Sequence, residues 1–370
     1  MSDLLTAIHA ALGTVIDPEI HRPITELGMV GDVAVDDAGV VSVTILLTIA
    51  GCPMQHTIDN DVRQALAAVP GVTDVKVTLG AMTNEQRAKL AESLGGGEAE
   101  REIPFAQAGN RTRVVLVASG KGGVGKSSVA ANLAVALAQS GHTVGVLDAD
   151  IYGHSIPPMF GLQNAVPMMV GDMIMPVAAP VAKGISVISI GMLKQSPDQV
   201  IAWRGPILDR ALQQFLADVY WSDPDFLVID LPPGTGDVAL SLGHKLPNAE
   251  VLVVTTPQQA SADVAERAGT MASMVNQRVI GVVENMAYLD VSCPDCGAEH
   301  RVDLFGADGG QRVAATLTQR LGYEVPLLAR VPIDPEVAAS GDGGVPIVVG
   351  DPDSPAAKAL VDVANRLGKR

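Results

Sequence analysis

Aromatic side chains make up only 3% of this 370-residue sequence, which leaves little surface on which nucleic-acid bases could stack. Basic charge is also short: 25 Lys and Arg stand against 41 Asp and Glu, a formal net charge of -16. A chain that coats nucleic acid by neutralising phosphates needs the opposite balance. No apolar run reaches the roughly 18 residues needed to span a bilayer. The opening stretch Met1-Ser2-Asp3-Leu4-Leu5-Thr6 has no basic n-region and carries an early acid. Neither nucleic acid nor membrane is expected as a partner, and cytoplasmic residence follows. Cysteines number three, an odd count that excludes a disulfide framework. In a reducing compartment a Cys-x-x-Cys pair points instead to metal or redox use.

What is present is core-forming material: 48% of residues are hydrophobic, and the length favours two domains or one large one. Residues 1–82 read as a small α/β unit, with a helix over Leu4 to Leu12, strands at Val30 to Val35 and Val40 to Thr48, a helix from Met54 to Ala68, and a strand over Val72 to Thr78. Residues 83–112 turn to Glu, Ala, Gln and Arg around Gly95-Gly96-Gly97, the profile of a helix followed by a flexible linker. From residue 113 to 370 short apolar strands alternate with helix-length segments: Arg113 to Ala118, Thr143 to Leu147, Ile185 to Ile190, Asp225 to Ile229, Glu250 to Thr255, Val279 to Val283 and Pro326 to Val331. Such alternation predicts an α/β domain with a mostly parallel sheet covered by helices on both faces. A last helix is expected with Ser354 as N-cap and Pro355 at its first position.

The first strand runs into Ser119-Gly120-Lys121-Gly122-Gly123-Val124-Gly125-Lys126-Ser127-Ser128 and then a helix with Val129, Leu133 and Leu137 on one face. Strand, glycine loop and helix in that order make a P-loop. The glycines let backbone N–H groups turn around phosphate oxygens, Lys126 reaches the β and γ phosphates, and the Ser127 hydroxyl ligates Mg²⁺. Asp148 and Asp150 follow the second strand, at the carboxyl edge where open α/β sheets bind ligands. Asp148 can hold waters bound to Mg²⁺. Phe226-Leu227-Val228-Ile229-Asp230 delivers a further acid for the Mg²⁺ shell, followed by Pro232-Pro233-Gly234-Thr235-Gly236.

The extra lysine, Lys121, departs from a plain P-loop. "GKGGVGKS" resembles the deviant Walker A motif of the ATPase class that includes MinD, ParA, ArsA and the nitrogenase iron protein. That resemblance implies that Lys121 crosses an ATP-dependent homodimer to the partner's phosphates, that Asp150 orients or activates the attacking water, and that residues 232–236 sense the γ-phosphate. Asn285 matches the position where this class reads adenine, although an asparagine after a strand also caps loops. With positioning and electrostatics as the means, slow ATP hydrolysis is expected.

"DADIYGHSIPPMFG", "WRGPILDRALQQFLADVYWSDPDFLVIDLPPGTGD" and "VVENMAYLDVSCPDCGAEHRVDLFG" closely resemble the Mrp/ApbC-type iron-sulfur cluster carrier ATPases, and "VIDPEIHRPITELGMV" with "LLTIAGCPM" resembles their PaaD/SufT-like N-terminal domain. The resemblance implies that Cys293 and Cys296 bind an iron-sulfur cluster and pass it to apo-proteins, with cluster scaffold proteins as further partners. Two thiolates per chain become four across a two-fold axis, enough for a bridging 4Fe-4S cluster or for zinc. His300 is a possible third ligand, and Cys52, at an expected helix start, is either a helper thiol or an inert one. Met168, Met169, Met173 and Met175 are read as flexible packing in an irregular connection, and Trp203-Arg204 receives no catalytic role. The competing reading is a ParA/MinD-like positioning ATPase with structural zinc at the paired cysteines.

Overall fold

The computed structural model describes residues 2–18, 20, 22–48, 54–93, 102–150, 153–193, 205–293 and 295–369. Cys52, Gly95, Gly96, Gly97, Trp203, Arg204 and Pro294 lie outside the described residues. The chain divides into two compact units.

The first unit comprises residues 1–101 with two later segments, 167–176 and 218–222. Its sheet places β1 (Val30–Val35) antiparallel to β2 (Val40–Leu47), which pairs in parallel with β3 (Asp74–Ala81). Every second residue of β2 is buried, so Val41, Val43, Ile45 and Leu47 face one core with Ile8 and Leu12 of the helix Ser2–Leu12 and Ile58, Val62 and Leu66 of the helix Gln55–Ala67. Each fully buried aliphatic side chain of this kind contributes about 1.5–3 kcal/mol.

Along the chain β4 (Arg113–Ser119) and β5 (Val144–Asp148) follow, and then β6 (Met168–Val170) and β7 (Met173–Met175) form an antiparallel hairpin that belongs to the first unit. The methionine segment is therefore ordered pairing where an irregular connection is expected from sequence. Met168, Val170 and Met175 are buried in the first unit's core, and the Thr48 hydroxyl donates to Met168 Sδ at 2.7 Å. Residues 218–220 lie alongside: Ile174 N–H donates to the Asp218 carbonyl and Tyr220 N–H to the Ile174 carbonyl, both at 2.9 Å.

The second unit adds β8 (Val177–Ala178), β9 (Ile185–Ser189), β10 (Phe226–Asp230), β11 (Glu250–Thr255), β12 (Arg278–Glu284), a separate hairpin of β13 (Leu289–Ser292) and β14 (Glu299–Val302), and β15 (Leu327–Arg330). Its eight-stranded sheet runs β15-β12-β11-β4-β10-β5-β9-β8 and is parallel except for β8. The central strands are buried along nearly their whole length, which explains their unbroken apolar sequences. The alanine-rich helix Lys126–Gln139 has side chains small enough to lie against both the sheet and the helix Pro355–Gly368. Buried Asn132 is satisfied there, donating to the Ser128 carbonyl at 2.8 Å and accepting from Val348 N–H at 3.1 Å. The last helix starts as its sequence predicts: Ser354 Oγ accepts from Ala357 N–H at 3.1 Å and Pro355 follows. Among the described residues no helix is long and apolar enough to cross a membrane.

Candidate nucleotide site and cysteine hairpin

The P-loop connects β4 to the helix Lys126–Gln139 at the centre of the sheet. Three of its glycines are required sterically. Gly125, the helix N-cap, has φ 79°, and a side chain there would also collide with the Asn285 amide. At Gly120 a Cβ would strike the backbone of Val264 and Ala265 in the helix Gln259–Met274. Gly123, at φ 78°, needs the same backbone freedom as Gly125, and Gly122 and Gly123 are both exposed.

Strand order brings the expected acids to this loop. β10 lies between β4 and β5, and its Asp230 stands in register with Asp148. The Lys126 ammonium donates to Asp230 Oδ1 and the Ser127 hydroxyl to Asp230 Oδ2, each at 2.6 Å. Lys126 is 6% exposed and Asp230 is fully buried, so this is a dry ion pair. Burial pushes the Asp230 carboxyl up, Lys126 and Ser127 oppose the shift, and the charge of Asp150 adds to it. Asp148, also buried, accepts from Ser189 Oγ at 3.0 Å and from the N–H groups of Asp150 and Ile156 at 3.1 and 3.3 Å. Burial, and then the Asp230 charge, push its carboxyl up to about 7 despite those donors. Asp150 is 8% exposed and accepts from Gly153 N–H at 3.0 Å.

The other predicted nucleotide residues sit differently. Lys121 does not join the Lys126–Asp230 cluster; its ammonium donates to Gln258 Oε1 at 2.9 Å. Asn285 donates to the Val124 carbonyl at 2.9 Å, which makes it a support of the P-loop. Gln258 and Ser189 are contacts that sequence reading misses. Each follows or ends a strand at the carboxyl edge, but the strand order that brings it beside Lys121 or Asp148 is a tertiary fact. Gly234 N–H donates to the Ser119 carbonyl at 2.8 Å, tying residues 232–236 to the P-loop's first residue.

Cys293 and Cys296 occupy the turn of the β13–β14 hairpin. Cys293 N–H donates to the Ala298 carbonyl at 2.8 Å, and Gly297 N–H to the Cys293 carbonyl at 2.9 Å. Gly297 has φ 70°, which lets the chain turn back after the second thiol. The N–H groups of Cys296 and Asp295, then the Cys296 thiol, hold the Cys293 thiol below its usual range. Cys293 is partly exposed and Cys296 exposed, and both thiols are free. Among the described residues no three His, Cys, Asp or Glu side chains stand close enough to hold a metal, so His300, paired with Val291 along the hairpin, does not join the cysteines within one chain.

Residues 110–368 match the family model described as NUBPL iron-transfer P-loop NTPase, and residues 5–79 match the model described as iron-sulfur cluster assembly protein. The chain is 53% identical to the iron-sulfur cluster carrier protein of Mycobacterium leprae, covering 100% of this chain and 94% of that one. It is 40% identical to the protein of the same name from Synechocystis, with 98% and 96% covered. Among solved structures it is similar to a nucleotide-binding protein in complex with ADP from Archaeoglobus fulgidus, at 36% identity and a TM-score of 0.53 over 66% of this chain and 90% of that one.

Proposed function

The chain belongs to the NUBPL iron-transfer P-loop NTPase family, and from that premise we propose that it is an iron-sulfur cluster carrier that hydrolyses ATP slowly in the service of cluster transfer. The observation that carries the reading is the combination, in one unit, of a phosphate-type loop with a buried Lys126–Asp230 pair and an exposed two-thiol turn whose N–H groups favour thiolate.

At the nucleotide site, Lys126 is held by Asp230 and exchanges that carboxylate for the β and γ phosphates when ATP enters. The Ser127 hydroxyl and the Asp230 carboxylate already converge, an oxygen donor set of the hard kind that suits Mg²⁺. Ser127, with Asp230 and Asp148 beside it, would hold Mg²⁺, which would supply neutralisation of charge on the phosphates. Gly120, Gly122, Gly123, Val124, Gly125 and Ser128 line the phosphate loop, and Asp150 orients the attacking water. Lys121 leaves Gln258 to reach the nucleotide of a second copy, and Asn285 reads the adenine.

The cluster is cargo. Cys293 and Cys296 of two chains supply four thiolates to a bridging 4Fe-4S cluster, which each subunit holds by half and surrenders to an apo-protein acceptor after loading from a scaffold protein. The work is done in the cytoplasm, where thiols stay reduced.

Anaerobic reconstitution with iron and sulfide, followed by visible absorbance and iron and zinc analysis, tests the reading. Cluster uptake that disappears in the Cys293→Ala/Cys296→Ala variant is expected. Stoichiometric zinc without cluster uptake by the unaltered chain would overturn it in favour of the zinc-stabilised positioning ATPase.

A further inference from the structure

The phosphate loop and the cysteine hairpin are joined by a very short stretch of chain. Asn285 holds the Val124 carbonyl, and the tip of the Met286 side chain lies 3.8 Å from where a Cβ at Gly125 would stand. β13 begins at Leu289, so only Met286, Ala287 and Tyr288 intervene. Fully extended, Asn285 to Leu289 spans at most about 14 Å.

This connection is fixed at each step. Asn285 N–H donates to the Thr255 carbonyl and Ala287 N–H to the Val331 carbonyl, both at 2.8 Å, and Ile333 N–H donates to the Tyr288 carbonyl at 2.7 Å. Met286 is held at φ 54°, a left-handed conformation that a residue with a long side chain seldom adopts and that surrounding structure must enforce.

At its far end stands the Tyr288 ring. The Arg301 guanidinium, from the hairpin's second strand, lies 3.6 Å from the ring centroid, and that of Arg330, from β15, lies 5.9 Å away. Each guanidinium has its own carboxylate. Arg301 pairs with Asp290 across the hairpin at 3.1 Å, and Arg330 pairs with Glu284 at 2.9 Å. Glu284 is fully buried, accepts from Gly310 N–H at 2.5 Å, and immediately precedes Asn285. The ring therefore lies against one guanidinium anchored in the cysteine hairpin and within cation–π range of another anchored to the strand end that supports the phosphate loop.

We propose that Tyr288 is a positioning residue that couples the cysteine hairpin to the phosphate loop. When phosphate fills the loop, displacement of the Val124 carbonyl shifts Asn285 and Met286, and the short connection carries that shift through the ring to Arg301 and the thiols. What the thiols carry rests on the cluster-carrier reading; the coupling concerns the two sites as built. Its physical warrant is contact continuity through an over-determined, strained connection, and a coupling measurement decides it.

The test uses the full chain, reduced and cluster-free, with alkylation at Cys293 and Cys296 followed by mass spectrometry, with and without Mg²⁺ and a non-hydrolysable ATP analogue. In the unaltered chain the analogue should change the alkylation rate at both thiols by about 5-fold or more, the lower end of ordinary inter-site coupling. Tyr288→Leu should make the rates independent of the analogue while leaving its affinity in the absence of alkylation unchanged. Tyr288→Phe, which keeps the ring, should retain the response. Arg301→Gln, at an exposed position, gives a second route to the same loss should Tyr288→Leu fail to fold. An analogue without effect on the unaltered chain, or a full response in both Tyr288→Leu and Arg301→Gln, overturns the proposal, as does equal loss in the Phe and Leu variants. Iron and absorbance measurements on reconstituted protein report separately on the carrier reading, so failure of either is distinguishable from failure of the other.

Discussion

The two sites of the second unit are built on opposite plans. Lys126 and Asp230 are 6% and 0% exposed, and their positions are dictated by adjacent parallel strands. In the hairpin every residue of β14 is exposed, and turn hydrogen bonds hold the backbone around the cysteines. A site that must stabilise a charged transition state gains from dry, pre-placed groups. A site that must hand over what it holds gains from access. The difference teaches that loss of a side chain should damage fold and activity together at the first site, and activity alone at the second.

The largest effect should come from Lys126→Ala, which removes the proposed phosphate ligand and strands a buried carboxylate. ATP hydrolysis should fall to background, and stability should drop by about 3–5 kcal/mol in chemical denaturation, less whatever Asp230 recovers by taking up a proton. Lys126→Ala/Asp230→Asn should recover stability without recovering hydrolysis; an unstable double variant would break the contrast. Next, Cys293→Ala/Cys296→Ala should abolish iron uptake while thermal unfolding and ATP affinity stay where they were. A large loss of stability there would show that the hairpin belongs to the core after all.

A smaller effect concerns pH. The Asp148 carboxyl lies near 7 when folded, above the ordinary 3.8, so between about pH 4 and 7 the folded chain binds the extra proton. Stability conferred by that proton is complete below the unfolded value and is lost as the pH rises through the folded one. The melting temperature should therefore fall by a few degrees from pH 5 to 7.5, and the fall should shrink in Asp148→Asn. The smallest effect is expected at Asp290→Ala, which opens a solvent-exposed ion pair with Arg301 and should leave the melting temperature unchanged.

The candidate nucleotide site is legible in sequence because its parts are local: glycines that only a tight loop explains, a lysine and serine opening a helix, and apolar strands ending in Asp148 and Asp230. The cysteine turn is legible for the same reason. What depends on strand order is not. Nothing in the spacing tells that Lys121 rests on Gln258, or that Asn285 holds Val124, because β11 and β12 reach β4 only in the folded sheet. The methionine hairpin hides for another reason: strands of three residues are too short to show a period, and one of its anchors, Thr48, lies 120 residues away. Its Gly171-Asp172 turn, with Gly171 at φ 60°, is the one local signal of a tight hairpin.

That long reach bears on how the chain is made. At ribosomal speeds of about 5–20 residues per second, Met168 is synthesised roughly 6–24 seconds after Thr48, by which time the whole phosphate loop has been translated. The small unit at the front of the chain cannot complete its core when its own first hundred residues emerge. It waits with part of its apolar surface uncovered, and the last pieces to arrive come from the interior of its neighbour's sequence. Vectorial synthesis thus does not let the two units fold one after the other.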